Sequence, residues 1–430
     1  MIAQNVLPFK LEITKDLITP HGGLALFGEF LHALGIVKHI NNDLPSPQSG
    51  AGYKPSVFIE PLLLMLHGGG RSLEDIRQIR QDVGLCELLG IRTIPSTDAI
   101  GDWLPRMGGG IGLQRLDTVN AMSIRRALNA DSRMDYTLDI DASQIIAEKQ
   151  QAKMTYKGEV GYMPMVGHLA ELGVVIGDEF REGNVPPAAR NLEFIRYCID
   201  RMPKKKRIAR FRSDSAAYQA DIFNYCEEHG IEFAIGGDLD TSVQKLIRGI
   251  PEAAWRPFRN GHIAETVHCM NKTHTSFRLI ILRRPWQQEL FEHDGSEAPQ
   301  RYTVIASNRN ESPEETVAWY NKRGDTSENR IKDLKIGFGM ERLPCGTYAG
   351  NAMFFRIGVL AYNLFVLFKL YALPKEWAKH QIQTIRWRLY QMAGKIVSHA
   401  GYISLKVSRC TYVLSEEIRT KCREVAYFCG

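Results

Sequence analysis

The heptapeptide TLDIDAS, Thr137 to Ser143, marks the point at which the hydrophobic period of this chain changes from that of a helix to that of a strand. Leu138 and Ile140 alternate with Asp139 and Asp141, and a period of two is the signature of a strand. Upstream, to about residue 130, apolar residues recur at helical spacing. Residues 24–40 and 57–67 read as helices, the second stopping at Gly68-Gly69-Gly70. Residues 72–89 read as a third, with Ser72 as N-cap and Arg77 and Arg80 on one face. Another helix start follows Ile94-Pro95-Ser96-Thr97, and Gly108 to Gly110 reads as a turn before a last helix over 113–128. Such a string of short helices suits a DNA-contacting module and an ordinary helical domain equally.

Downstream of TLDIDAS, strands are predicted over 162–169, 172–176, 207–212 and 231–235, with helices over 189–202 and 216–229. The order strand, strand, strand, helix, strand, helix, strand predicts a mixed α/β sheet with an antiparallel start. Residues 238–308 carry Trp255, Trp286 and β-rich runs such as FRLIILRR and YTVIAS, and read as an inserted β-rich subdomain. Helix signals resume at Pro313-Glu314-Glu315, and the chain from Tyr348 reads as helical, with ten Lys/Arg against three Glu over 375–423. The expected organisation is a helical N-terminal region (1–130, read as DNA-binding), an α/β domain (131–345, with the insertion at 238–310) and a helical basic region (346–430).

A net charge of +6 permits a nucleic-acid partner without requiring one. The eight cysteines form no CxxC pair and read as reduced thiols of a cytoplasmic protein. The N-terminal MIAQNVLPFKLEI lacks the basic and apolar regions of a signal peptide. The longest apolar run, 357–368, is short of the roughly 20 residues that span a bilayer, so it reads as a core helix and no membrane partner is expected.

Asp141 and Asp214 each fall at the C-terminal end of a predicted strand. Adjacent strands would bring the two carboxylates together, where they repel unless a cation lies between them. Mg²⁺ favours such carboxylates together with water and phosphate oxygens. For Asp139 a structural role is the better reading. The segment YNKRGDTSENRIKDLK, Tyr320 to Lys335, supplies the remaining groups. Tyr320 and Arg323 lie three apart and Glu328 and Lys335 seven apart, spacings that share a helix face. A third carboxylate from Glu328 would complete a two-metal site able to activate water or a 3′-hydroxyl for in-line displacement at phosphorus.

These features together resemble a DDE transposase of a bacterial insertion sequence. LDIDAS around Asp141, FRSDSAAY around Asp214, the β-rich insertion and the Tyr320–Lys335 segment carry the resemblance. The last is similar to the Tyr-Arg-Glu-Lys signature of the insertion-sequence-four group. YNKRG, ENRIKDLK and NAMFFRIGVLAYNLF are similar to family thirteen-eighty, and GGRSLEDIRQIR extends the likeness to the N-terminal part. The resemblance implies an RNase H-like fold and a metal-binding triad of Asp141, Asp214 and Glu328 for two Mg²⁺ or Mn²⁺ ions. It also implies phosphate contacts from Tyr320, Arg323 and Lys335. It further implies double-stranded DNA as partner (transposon ends and target), a synaptic homodimer, and work at the nucleoid in a bacterial cytoplasm. An aromatic of the insertion that stacks on a flipped base is expected from it, with Trp255 and Trp286 as candidates and simple packing as the favoured alternative for each. A catalytically inactive DNA-binding derivative and a stand-alone RNase H-like nuclease are the rival functions.

One departure stands out. The family pattern has three residues between the Arg and the Glu, whereas Gly324, Asp325, Thr326 and Ser327 make four here. On a regular helix the extra residue turns Glu328 about 100° from the Tyr320–Arg323 face. A break or bulge near Gly324 is therefore expected, with Asp325 and Asp333 as fallback acids. His67 before its glycines, the group His262, His268, Cys269 and His274, and the KKKR run at 204–207 carry weaker signals. These read as a helix end, a cluster without zinc spacing and a solvated turn. Arg386, Arg388 and Lys395 read as DNA contacts or solvent-facing cations.

Overall fold

The computed structural model describes Leu7 and residues 9–47, 52–285, 300–324 and 329–429. After a short strand β1 (Leu17–Thr19) the N-terminal region is helical, with its longer helices at Gly22–Ala33, Ile36–Asp43, Pro55–Gly68, Thr97–Gly108 and Gly112–Ala130. The single helix expected over 24–40 is two, because Gly35 takes a left-handed φ of 68° between them. The helix expected over 72–89 is likewise broken. Asp82 interrupts it, accepting from Leu85 N at 3.0 Å to cap Val83–Leu89 and from the Thr19 hydroxyl at 2.6 Å.

β2 (Asp135–Ala142) is followed by three small strands, β3 (Ile145–Ile146), β4 (Lys153–Met154) and β5 (Val160–Tyr162), which form a sheet of their own. The central sheet continues with β6 (Met165–Leu169), β7 (Val175–Glu179), β8 (Arg207–Ser213) and β9 (Glu232–Gly236). It then takes in β10 (Arg256–Phe258), β11 (Gly261–His268), β12 (Phe277–Pro285) and β13 (Gln300–Ser307). The spatial order is β10-β11-β12-β13-β9-β8-β2-β6-β7. β2, β8 and β9 run parallel, while β6 and β7 return antiparallel beside β2. The β-rich stretch is thus not a separate layer: β13 pairs antiparallel with β9 and the meander β10–β13 lengthens the same sheet.

Period-two alternation predicts one wet face for β2, but residues 136–140 are buried throughout. The sheet is covered on both sides. Helix Pro313–Arg323 lies against β8, β9 and β11, and helices Gly112–Ala130 and Tyr348–Tyr371 lie against β7. Tyr348–Tyr371 is long and apolar enough to cross a membrane, yet 78% of its apolar window is buried inside the protein. Phe354, Phe355, Phe365 and their neighbours make it the axis of the main hydrophobic core.

The C-terminal region is not wholly helical. β14 (Gly394–His399) and β15 (Tyr402–Lys406) form a hairpin, and β1 pairs antiparallel with β14. Ala400 and Gly401 turn that hairpin with φ of 49° and 80°, the two positive values that a tight hairpin turn of matching twist requires. Helix Arg409–Cys429 then packs on Gly22–Ala33, where Arg419 meets Glu29 at 2.8 Å. Arg386 is neither a surface cation nor a DNA contact. Its buried guanidinium donates to the carbonyls of Leu66, His67 and Gly337, each at 2.7 Å. It thereby gives the last turn of helix Pro55–Gly68 a charged donor for two of its terminal carbonyls.

Candidate active site

β2 and β8 are neighbours and parallel, in register at Asp139↔Arg212, so Asp141 and Asp214 emerge from the same end of the sheet. Asp139 lies two residues before Asp141 and so on the same strand face, but it is closed off. Its carboxylate takes two hydrogen bonds of 2.8 Å from Arg212, and both side chains are buried. Arg212 also donates to the Trp319 carbonyl at 2.7 Å, and its guanidinium lies 4.9 Å from the Trp319 ring centroid. Asp139 is therefore a strut between β2, β8 and helix Pro313–Arg323.

One step further along β2, Asp141 faces the end of that helix. Arg323 Nη2 donates to Asp141 Oδ1 at 3.0 Å and lies 4.0 Å from Asp214 Oδ2. The Ser143 hydroxyl donates to Asp141 Oδ2 at 2.9 Å. Burial pushes the Asp141 carboxyl upward from the usual range, against the opposing pull of Arg323 and of the Ser143 hydrogen bond. Asp214 is half exposed and accepts from Ala216 N at 3.1 Å, capping the short turn that follows β8. Lys335 Nζ donates to the Gln144 carbonyl at 3.0 Å. Burial lowers the pKa of its ammonium group, while the charge of Asp141 works in the opposite direction.

Tyr320 sits one turn before Arg323, and its hydroxyl approaches Gly236 at the end of β9. A Cβ added at Gly236 would lie 3.1 Å from that hydroxyl and 3.0 Å from Ser215 N, so glycine makes room for this close approach. The structure thus brings Asp141, Asp214, Tyr320, Arg323 and Lys335 to one sheet end. Trp255 is elsewhere: it directly precedes β10, is buried, and is covered by the Arg283 guanidinium 4.4 Å from its ring centroid. Glu328, Trp286 and Asp325 lie outside the described residues. Asp333 is buried beneath Lys369 and Arg386 rather than beside Asp141, and burial pushes its pKa up to about 6.

The expected irregularity at Gly324 takes a definite form. Helix Pro313–Arg323 keeps α geometry, and Gly324 has helical dihedrals (φ −57°, ψ −47°) but lies in π-helical conformation. Regular α-helix is described again at Asn329–Lys332 and passes into a π-helical turn at Asp333–Gly337, which carries Lys335. A π-turn takes up an additional residue without breaking the helix, and such turns concentrate at functional sites.

Ser143 and the carbonyl of Gln144 were not singled out by the sequence reading, although Ser143 directly follows the strand end and a hydroxyl two residues beyond an acid can reach back to it. The weaker signals resolve into structure. The His67 ring lies between Tyr390 Oη at 2.9 Å and the Ala361 carbonyl at 3.0 Å. Lys206 binds the carbonyls of Asp131 and Arg133. No group of three or more His, Cys, Asp or Glu side chains converges among the described residues.

Two aspartates at neighbouring parallel strand ends with the basic last turn of a helix across them is an arrangement that sequence comparison can test. A family model described as "Transposase DDE domain group 1" matches residues 8–426. The chain belongs to this family of DDE transposases. No curated protein matches it. Among solved structures, the piggyBac transposase synaptic complex with hairpin DNA aligns over 97% of this chain and 87% of its own, with 10% identity and a TM-score of 0.46. As a member of this family, the transposase is of a class that works with divalent metal ions. The donors present suit one: Asp141 and Asp214 offer oxygen only, as Mg²⁺ and Mn²⁺ prefer, and the space between them already accepts a cation, the Arg323 guanidinium.

Proposed function

We propose that this transposase binds the terminal inverted repeats of an insertion sequence, hydrolyses the end phosphodiesters and joins the freed 3′-hydroxyl to target DNA. The observation that carries the reading is the convergence of Asp141 and Asp214 from two adjacent parallel strands onto one cation position. Asp141, Asp214 and Glu328 would hold two Mg²⁺ or Mn²⁺ ions. Bound there, the metal supplies Lewis-acid stabilisation of the attacking and leaving oxygens. Ser143 fixes the Asp141 carboxylate through Oδ2, leaving Oδ1 to face the cation. Arg323 and Lys335 provide charge for non-bridging phosphate oxygens, the first as a planar fork and the second as a point charge. Tyr320 holds the lip of the site at Gly236.

An RNase H-like core is supported by the strand order β7-β6-β2-β8-β9, three antiparallel strands followed by two parallel ones. Membership of the insertion-sequence-four group, with the Tyr-Arg-Glu-Lys signature as in family thirteen-eighty, is supported by the π-helical conformation of Gly324, the first residue after Arg323. On this reading residues 1–130 help to bind the ends, Trp286 is the remaining candidate for base stacking, and two copies pair the ends at the bacterial nucleoid. Asp141→Asn and Asp214→Asn are expected to bind an inverted-repeat duplex about as well as the unaltered protein and to abolish its Mg²⁺-dependent nicking. Fluorescence anisotropy and a nicking assay with an EDTA control read the two. Unaltered protein that binds ends but never nicks them would indicate an inactive DNA-binding derivative. Nicking without strand joining or end preference would indicate a nuclease.

A further inference from the structure

Arg323 stands where the proposed reaction needs a metal ion. Its guanidinium is about nine-tenths buried and reaches both acids, Asp141 at 3.0 Å and Asp214 at 4.0 Å. Its Nε is buried and has no hydrogen-bond partner. Arg212, two strand residues away from Asp214, shows what a permanent arginine looks like in this protein. It has two 2.8 Å bonds to Asp139, a third to the Trp319 carbonyl and an aromatic ring against its face. Among the described residues Arg323 has one good hydrogen bond and a looser ion contact, so it is held there by charge more than by a built set of acceptors. Two carboxylates brought together by the sheet need a cation at all times, or one of them takes up a proton or the ends move apart. A divalent ion and a guanidinium repel each other and cannot both occupy that position.

We infer that Arg323 is an exchangeable counter-ion: it keeps Asp141 and Asp214 converged before metal arrives, is displaced when metal enters, and is released toward the DNA phosphates. The inference rests on the proposed metal site. It gives one side chain two successive partners and orders events, because the phosphate grip becomes available only once the acids have exchanged their cation. The α geometry of helix Pro313–Arg323 ends at this residue and Gly324 follows in π-helical conformation, so the guanidinium sits where the helix changes geometry.

The test is Mn²⁺ binding at pH 8, read from the free-ion electron paramagnetic resonance signal, on the intact protein without DNA. Arg323→Gln is expected to bind Mn²⁺ at least tenfold more tightly than the unaltered protein, because the ion no longer competes with a built-in cation. Adding Asp141→Asn to Arg323→Gln should remove that binding. Equal or weaker binding by Arg323→Gln overturns the inference while leaving the metal site standing. Absence of Mn²⁺ binding by every form overturns both. A second measurement needs no variant: phenylglyoxal modification of Arg323, followed by peptide mass spectrometry, should be slow in EDTA and several-fold faster in saturating Mn²⁺. A rate that Mn²⁺ leaves unchanged also overturns the inference.

Discussion

Asp139 and Asp141 are two residues apart on one strand and equally acidic, yet the structure gives them opposite characters, and substitution separates them. Asp139→Asn removes the carboxylate charge that takes two hydrogen bonds from the buried Arg212 guanidinium. Removing one member of a buried pair costs about 3–5 kcal/mol. An unfolding entropy of about 2.1 cal/mol/K per residue gives roughly 0.9 kcal/mol/K for the 430-residue chain unfolding in one transition. The midpoint should then fall by about 3–6 °C. The double substitution Asp139→Leu with Arg212→Met removes both charges and fills the space, and should recover most of the loss. Asp141→Asn is expected to shift the midpoint by less than about 2 °C, since Asp214 remains as a counter-ion 4.0 Å from Arg323 and the substitution relieves the repulsion between the two acids. Differential scanning calorimetry of the four proteins at pH 7.5 gives the comparison. An Asp139→Asn midpoint within 1 °C of the unaltered protein, or a double variant worse than the single, would refute the assignment of this pair as a strut.

Asp333 gives a pH-dependent prediction. Its folded pKa of about 6 lies above the ordinary 3.8 because burial disfavours the carboxylate. The folded state therefore holds this proton more tightly, and its stabilising share is full below about pH 4 and lost as pH rises through 6. The loss is on the order of 3 kcal/mol at neutral pH, so Asp333→Asn should raise the midpoint at pH 7.5 and change it little at pH 4, as thermal scans at both values would register. Gly108→Ala and Gly101→Ala, in one helix, should act with opposite sign. At Gly108 a Cβ would fall 1.8 Å from the Ala349 carbonyl, forcing apart helices Thr97–Gly108 and Tyr348–Tyr371 at a cost of about 1–3 kcal/mol. At Gly101 nothing lies within 4 Å, so alanine should stabilise by about 0.5–1 kcal/mol, and urea unfolding of both variants decides.

What could be read from the sequence follows the range of the interactions involved. Strand ends at Asp141 and Asp214 were legible because alternation and the residue that terminates a strand are local properties. So was the irregularity at Gly324, which follows from counting residues on a helix. Asp139 read as structural without a partner in view, because its partner Arg212 is 73 residues away. The Arg323–Asp141 contact spans 182 residues, and no spacing rule reports it. Gly35 looked like an ordinary residue of one amphipathic helix, since a left-handed φ leaves no mark on periodicity. The β14–β15 hairpin was missed because its strands are short and Ala400-Gly401 is not a common turn dipeptide. Arg386 read as a surface cation because three backbone carbonyls, from parts of the chain far apart in sequence, are what bury it.

The seam between β1 and β14, with helix Gly22–Ala33 seated on Arg409–Cys429, has a consequence for how the protein is made. Phe27 and Phe30, buried in the finished core, emerge from the ribosome about 360 residues before Tyr390 and the hairpin that help to close over that corner. At roughly 5–20 residues per second, about 20–80 s of synthesis separates the two. Throughout that interval the first helix is an apolar surface waiting for its cover. Helix Gly22–Ala33 is thus seated long after it is synthesised, and a message cut short before residue 382 would yield a chain with an open seam instead of a smaller working protein.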